Sequence, residues 1–252
     1  MAARTDRTTD PALLEALLQA RRGTAFFARK LNELTDAQLD GDSLLPGWTR
    51  RHLTAHIGYN ARAIARLVEW AATGVETPMY ASTEARNHEI EFGATLSPIA
   101  LRHLFDHSAV HLNVEWRDLP EDAWHHKVKT AQGRTVPAEE TVWMRTREVW
   151  IHAVDLANGA TFTDIPAPVL ERLLKDITGA WHTRGTDKGL VVKVTDTDLT
   201  FGHTGAEYPT IITGPLPAVV EWAAGRGHGG VTATGPGAAV PNGTVPAAPK
   251  WI

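Results

Sequence analysis

The sequence predicts a mixed α + α/β fold, in which an N-terminal four-helix bundle is followed by a smaller C-terminal α+β domain. Two observations indicate this order. Long amphipathic segments with helix-capping residues fill residues 10–159, and strand-like runs bounded by turn residues occur only after Pro166. Long helices joined by loops are typical of a bundle. We therefore expect a helical domain over residues 1–163 and a second domain over residues 164–252.

The first two long helices carry recognisable start signals. Asp10 is the expected N-cap of a helix over residues 10–34, with Pro11 at its first position. Thr49 follows a Pro-Gly turn signal and caps a second helix that runs to about Thr73. The inward stripe of this second helix is apolar except for an imidazole and an amide: Leu53, His56, Ile57, Asn60, Ile64 and Leu67. Taken alone, such a histidine is best explained as a core residue satisfied by one hydrogen bond.

The middle of the chain predicts a loop-rich segment over residues 74–97, with a short charged helix near Glu84–Glu91. Two side chains of this segment could line a pocket: Tyr80 and Arg86. A third long helix is expected from Ser97 to about Leu119. Its histidines recur every four residues away from its apolar face, so we expect them to be solvated: His103, His107 and His111.

The fourth long helix, from Glu139 to near Asn158-Gly159, carries a spacing with chemical meaning. Glu148 and His152 are four residues apart, so their side chains share one helix face, and apolar neighbours indicate that this face points inward. Burying such groups requires a compensating partner, either a metal ion or a hydrogen-bond network. The spacing E-x-x-x-H is common on helices, so by itself it favours the network.

A third ligand from another helix would change this balance. Metal sites in bundles are built from side chains on facing helices, and His56 would join Glu148 and His152 as a third donor. Three nitrogen or oxygen ligands with one open position are the arrangement of catalytic zinc, although the same donors also suit iron, nickel or cobalt. Asn60 and Asp155 lie about one turn onward and are candidates to orient the imidazoles.

The second domain is predicted to mix helices with short strands. A hairpin signal, Asp196-Thr197, joins the first two predicted strands. From Gly229 the tail is rich in Gly, Ala and Pro and predicts no further element. The expected elements are a helix over residues 167–184, strands Gly189–Thr195, Asp198–His203 and Tyr208–Thr213, and a short helix Ala218–Gly225.

Composition excludes several classes of protein. The chain of 252 residues has no cysteine, so disulfides, thiolate metal sites and cysteine nucleophiles are excluded. A formal net charge of −4 does not indicate a nucleic-acid surface, and no apolar run is long enough to span a bilayer. The first residues lack the apolar core of a signal peptide. We expect a cytoplasmic protein without nucleic-acid or membrane partners; its oligomeric state stays open, a monomer being one option.

Three motifs together resemble the mycothiol-dependent maleylpyruvate isomerase family. They are LLPGWTRRHLTAH at residues 44–56, WMRTREVWIHAVDL at residues 143–156 and AAGRG at residues 223–227. Their order and spacing make the resemblance specific, and it extends from the first helix to Trp251-Ile252. The resemblance implies a DinB-like bundle and a C-terminal domain similar to sterol carrier proteins.

The resemblance implies, from the positions of these residues in the motifs, that zinc is bound by His56, Glu148 and His152 and that Arg226 is catalytic. It implies that mycothiol and a small dicarboxylate are the partners, and that maleylpyruvate becomes fumarylpyruvate, as in gentisate-type aromatic catabolism. A zinc-held thiolate can add to the conjugated double bond, allow rotation and depart. A chain without cysteine agrees with an external thiol. Arg226 would bind a carboxylate or stabilise the enolate, whereas its simpler alternative is an arginine that caps helix carbonyls.

Other functions remain open from the sequence. A zinc-dependent mycothiol S-transferase would use the same metal site on another electrophile, so only the substrate pocket distinguishes it. A non-enzymatic module that carries a ligand in its C-terminal domain would need the metal only for structure. A metal hydrolase is a third option, weakened because Asp155 is the only evident general base beside the ligands.

Overall fold

The computed structural model describes residues 5–202, 207, 209–235 and 245–251. The chain forms two compact units, Met1–Ala160 and Thr161–Ile252. The first is a helical bundle and the second combines helices with a four-stranded sheet, so the predicted fold class is confirmed. That the first unit carries a metal site, and that Arg226 of the second unit takes part in catalysis, remain predictions.

The first unit contains the four predicted long helices and one shorter helix. They are α1 (Pro11–Asn32), α2 (Arg50–Thr73), α3 (Thr83–Ala94), α4 (Pro98–Asp118) and α5 (Glu140–Asp155). Three start signals work as predicted. The carboxylate of Asp10 accepts from Ala12 N–H, Ser97 Oγ accepts from Ala100 N–H, and Thr49 forms a capping box with His52. The connector between α4 and α5 contains a small hairpin of β1 (Lys127–Lys129) and β2 (Thr135–Pro137).

The core of this unit lies where α1 packs on α5 and where α2 packs on α4 and α5. Apolar residues of α1 and the apolar stripe predicted for α2 supply it, and several of them have no exposed surface: Leu17, Phe27, Leu53, Ile57, Ile64 and Leu67. Full burial of each such side chain stabilises the fold by about 1.5–3 kcal/mol. The polar residues of the α2 stripe are therefore held inside a rigid apolar frame.

Gly23 sets the close approach of α1 to α5. A Cβ added there would lie 2.6 Å from Val149 Cγ2 and 2.7 Å from Trp150 Nε1. Both partners are buried and cannot easily move aside. We expect Gly23→Ala to lower the free energy of unfolding by about 1–3 kcal/mol through overpacking, as measured by urea unfolding of the first unit.

Gly179 offers the matched control, because it lies in a helix of the second unit and a Cβ there would meet no atom within 4 Å. We expect Gly179→Ala to stabilise by up to about 1 kcal/mol, the intrinsic helix preference of alanine. Equal stability of the two variants would mean that the α1–α5 contact relaxes freely around the added methyl group.

Helix α5 ends earlier than predicted. The sequence placed its end near Asn158-Gly159, but the helix stops at Asp155 and Ala157 adopts a left-handed φ of 51°. The cause is a clamp from α2: Arg50 Nε donates to the carbonyl of Leu156 at 2.6 Å. Carbonyls that a continuing helix would have used are thus taken by a distant side chain, which local sequence patterns do not reveal.

The second unit contains α6 (Ala167–Arg184), β3 (Leu190–Val194), β4 (Thr200–Gly202), β5 (Thr210–Gly214), α7 (Leu216–Ala223) and β6 (Thr232–Thr234). Its sheet has the order β4-β3-β5-β6, with β3 and β5 parallel and the other pairs antiparallel. The predicted β3–β4 hairpin is present. Two ends of predicted strands, His203 and Tyr208, lie outside the described residues.

Strand β6 was missed by the sequence analysis, which expected no element after Gly229. It pairs with β5 through only three residues, with Ala233 opposite Ile212. So short an edge strand has no alternation to detect. Within the described ranges, no helix combines the length and the apolar character that crossing a membrane requires.

Candidate metal centre

Two facing helices bring three potential ligands together. His56 lies on α2, and Glu148 and His152 lie one turn apart on α5. His56 Nε2 is 3.0 Å from Glu148 Oε2, and His152 Nε2 is 3.4 Å from the same oxygen. The structure thus brings together all three predicted ligands, which the sequence could place only on separate inward faces.

The spacing of the three donor groups fits a divalent metal ion. Their ligand atoms lie within 4.8 Å of one another, and ligands about 2.1 Å from a tetrahedral zinc lie about 3.4 Å apart. Glu148 keeps 19% of its side chain exposed, whereas His56 keeps 7%. The cluster is therefore lined by protein on most sides and open at the carboxylate, as a site with a free coordination position requires.

Burial and mutual hydrogen bonds determine the charges in this cluster. Burial alone would raise the pKa of Glu148, but hydrogen bonds from His152 and His56 hold that pKa well below its usual range. Burial also opposes charge on His152, yet hydrogen bonds with Asp155 and Glu148 raise its pKa to about 9. The pKa of His56 is lowered, because desolvation outweighs its hydrogen bond with Glu148. Glu148 is thus an anion, and a bound metal cation could take the place of the hydrogen bonds that it now accepts from His56 and His152.

The two candidate orienting residues behave differently. Asp155 is fully buried, and its Oδ2 accepts from His152 Nδ1 at 2.8 Å, which leaves Nε2 aimed at Glu148. Asn60, by contrast, has no hydrogen bond to either imidazole among the described residues, so the structure does not support the orienting role predicted for it. Its Oδ1 accepts from Arg145 Nη1 at 2.9 Å. The amide of Asn60 is therefore bound to the buried guanidinium of Arg145 instead of to an imidazole.

Arg145 is a functional neighbour that the sequence analysis missed. Its Nη1 also donates to the carbonyl of Ile57 at 2.8 Å, so one guanidinium fastens α5 to the residue beside His56. This link holds the two ligand-bearing helices at their observed separation. The sequence does indicate that Arg145 faces inward, since it lies three residues before Glu148 on the same helix face. Its hydrogen-bond partners on α2 could not be predicted from that spacing.

A cavity of about 260 Å³ contains both side chains that were predicted to line a pocket, Tyr80 and Arg86, together with Lys129. Arg86 Nη2 lies 3.4 Å from His56 Nδ1, which connects this cavity to the three-ligand cluster. Burial raises the pKa of Tyr80 to about 12, so its hydroxyl stays protonated and can donate. The cavity therefore presents two cations, one phenol and the carboxylate of Glu76 beside the cluster.

Arg226 lies in the second unit, just after α7. Its Nη1 donates to the carbonyl of Ala224 at 2.7 Å, which is the contact expected of an arginine that caps a helix end. It also lines a cavity of about 440 Å³ with Trp222 and His228. Both interpretations of Arg226 thus keep a structural basis, and its catalytic role remains a prediction.

The surface histidines of α4 are exposed, as predicted: His103, His107 and His111. Of these, His111 lies beside two carboxylates, 3.6 Å from Glu69 Oε1 and 3.3 Å from Glu115 Oε1. Exposed groups of this kind bind each other weakly and are well solvated. The charged groups in the buried cluster of α2 and α5 differ, because water cannot replace a hydrogen-bond partner that is lost there.

Comparisons with known proteins show which family this chain resembles. Residues 20–157 match the family model of the mycothiol maleylpyruvate isomerase N-terminal domain. The crystal structure of the mycothiol-dependent maleylpyruvate isomerase is similar over 95% of this chain and 97% of that one, with 49% identity and a TM-score of 0.89. A histidine-to-alanine mutant of that enzyme, also solved, is 48% identical with the same TM-score. No curated protein matches this chain.

Proposed function

The chain belongs to the mycothiol-dependent maleylpyruvate isomerase family, and from that premise we propose that it converts maleylpyruvate to fumarylpyruvate with mycothiol as its thiol. The observation that carries this proposal is the buried His–Glu–His cluster, open at Glu148, in a chain without cysteine. With a divalent metal bound, the site would carry a net positive charge and would favour an incoming thiolate. That thiol must come from outside, because the chain has no cysteine to supply one.

We propose zinc as the metal, held by His56, Glu148 and His152. When bound, zinc supplies a Lewis acid that keeps a thiol deprotonated at neutral pH. The chain's own contribution is orientation. Asp155 fixes the proton on His152 Nδ1 so that Nε2 is a lone-pair donor, and Arg145 holds α2 and α5 at the separation that the three ligands need. The side chains of His56 and His152 are only 7% and 12% exposed, so the surrounding helices keep most of the cluster away from water.

Binding of the dicarboxylate is assigned to cationic side chains. The cavity beside the cluster offers Arg86 and Lys129, which can pair with carboxylate oxygens, and Tyr80, which can donate a hydrogen bond. Arg226 is proposed to bind a carboxylate or to stabilise the enolate that forms after addition. We also propose a cytoplasmic location, because a free thiol persists in a reducing compartment.

Asp155→Asn tests the orienting role. An amide can present its N–H₂ to His152 and stabilise the wrong tautomer, so we expect zinc affinity to fall by about 10–100-fold, the usual effect of such a partner. Competition with a metal-chelating dye measures it. Asp187→Asn is the matched control, because Asp187 pairs with His182 in the second unit at 3.1 Å. Equal zinc affinity in the two variants would remove Asp155 from the centre.

The proposed function is tested by the ultraviolet absorbance of maleylpyruvate with zinc-analysed protein, with and without mycothiol. We expect fumarylpyruvate only when mycothiol is present, with mycothiol not consumed. A mycothiol adduct that accumulates would instead identify a transferase. No change in substrate or thiol, despite bound zinc, would refute the proposed reaction while leaving the metal site intact.

A further inference from the structure

A second cavity lies in the bundle, on the side where α1 faces α4. Its volume is about 420 Å³, which is within the usual range for small-molecule sites, roughly 300–1,000 Å³. Most of its walls are apolar, and they include Ala25, Ala28, Phe105, Ala109, Leu112 and Trp116. Nothing in the proposed isomerase reaction uses this cavity, since the three metal ligands are not among its lining residues.

Arg145 is the one lining residue from α5, and it is 99% buried, with 1% of its surface exposed. Its Nη1 is occupied by Ile57 and Asn60, but its Nη2 is a buried donor without a hydrogen-bond partner. Burial lowers the pKa of Arg145 to about 10, an effect that Glu148 partly opposes, so the guanidinium remains charged at neutral pH. A buried cationic N–H left without a hydrogen-bond partner destabilises the folded protein, because it has lost its hydration and gained no acceptor in return.

The other charged groups around the cavity do not neutralise this donor. Arg21 is committed to Asp6, with Nη1 and Oδ2 at 2.7 Å, and its Nε donates to Asn113. Asp106 lies at the exposed rim. The cavity wall therefore carries one buried cationic N–H without a hydrogen-bond partner, and one acidic group lies at the exposed rim, which favours a ligand with a single negative charge.

We infer that this cavity binds a small monoanion with a compact apolar body, such as an aromatic carboxylate, whose oxygens pair with Arg145 Nη2. The apolar walls would cover the ring, and the low dielectric strengthens a charge-assisted hydrogen bond. A dicarboxylate such as the proposed substrate would have to bring its second charge against the apolar walls or beside Asp106. The site is thus distinct from the proposed isomerase centre, and its existence does not depend on that function.

Benzoate is the probe, titrated calorimetrically into the zinc-loaded full chain. We expect one site with a Kd on the order of 1 mM, given the few atoms of the probe. Benzamide, which has the same shape without the charge, should bind at least about tenfold more weakly. Terephthalate should be weaker too, because its second carboxylate meets Asp106 or the apolar walls. Equal affinity for benzoate and benzamide would overturn the role of Arg145.

Two variants that fill the cavity test its location without touching Arg145. Ala28→Phe on α1 and Ala109→Phe on α4 should each weaken benzoate binding by at least about tenfold, whereas the exposed Ala12→Phe on α1 should leave it unchanged. Isomerase turnover should be the same in all three. Benzoate bound at the metal instead would inhibit turnover competitively and would bind both filled variants normally, which would refute the proposal.

Crystals of the zinc-loaded protein with 4-bromobenzoate provide a direct readout. The bromine anomalous signal should lie among Phe105, Leu112 and Trp116, with the carboxylate within hydrogen-bond distance of Arg145. A signal at the metal centre alone, or none with millimolar ligand, would overturn the inference. Either result leaves the mycothiol-dependent assay untouched, so failure of this proposal and failure of the proposed function remain distinguishable.

Discussion

His56→Ala is expected to lose bound zinc and isomerase activity together, each by at least about a hundredfold, because loss of a ligand should exceed the 10–100-fold effect of a supporting residue. The remaining donors, Glu148 and His152, both belong to α5, so the variant would have no ligand from α2. Zinc content by mass spectrometry and turnover with mycothiol measure the two losses on the same sample.

The bundle should remain folded in this variant, because the α2 core is formed by apolar residues that are not changed. Far-ultraviolet circular dichroism should therefore show the same helix content as the original chain. His107→Ala is the matched control, since His107 is exposed on α4 and stacks on His103, with ring centroids 5.8 Å apart. Stoichiometric zinc and full turnover in His56→Ala would exclude His56 from the site.

The parts of the fold that the sequence predicted are those set by local patterns. Helix starts at Pro11, Arg50 and Pro98 follow from capping residues within the preceding few positions. The inward faces of α2 and α5 follow from apolar periodicity, so His56, Glu148 and His152 could each be placed on the correct side of a helix. Bundle packing then leaves few ways to arrange two such faces.

What local patterns could not reveal are the long polar side chains that cross between helices. Arg50 reaches from α2 to the carbonyls after α5 and ends that helix early. Arg145 reaches from α5 to α2 and takes the amide of Asn60 that was assigned to an imidazole. An arginine extends over several ångströms with many rotamers, so its partners depend on the packed geometry and not on spacing along the chain.

Arg226→Ala is the second large effect that we expect. The variant should retain zinc, because all three proposed ligands lie in the first unit, which ends at Ala160. Turnover should fall by about a hundredfold or more, the usual cost of removing a donor that stabilises developing negative charge. Arg226→Lys should recover part of this loss, since it keeps the charge without the planar two-pronged geometry. Steady-state kinetics with mycothiol in excess measure all three proteins.

The capping interpretation makes the opposite prediction for the same variant. If the bond to the Ala224 carbonyl were the whole role of Arg226, Arg226→Ala would lower the stability of the second unit and leave turnover unchanged. Arg184→Ala is the control for that outcome, because Arg184 also donates to backbone carbonyls in this unit, those of Lys250 and Trp251. We expect both alanine variants to lose some thermal stability, because each removes an arginine that binds backbone carbonyls. Only Arg226→Ala should lose turnover, because the reaction needs the guanidinium of Arg226 and not that of Arg184.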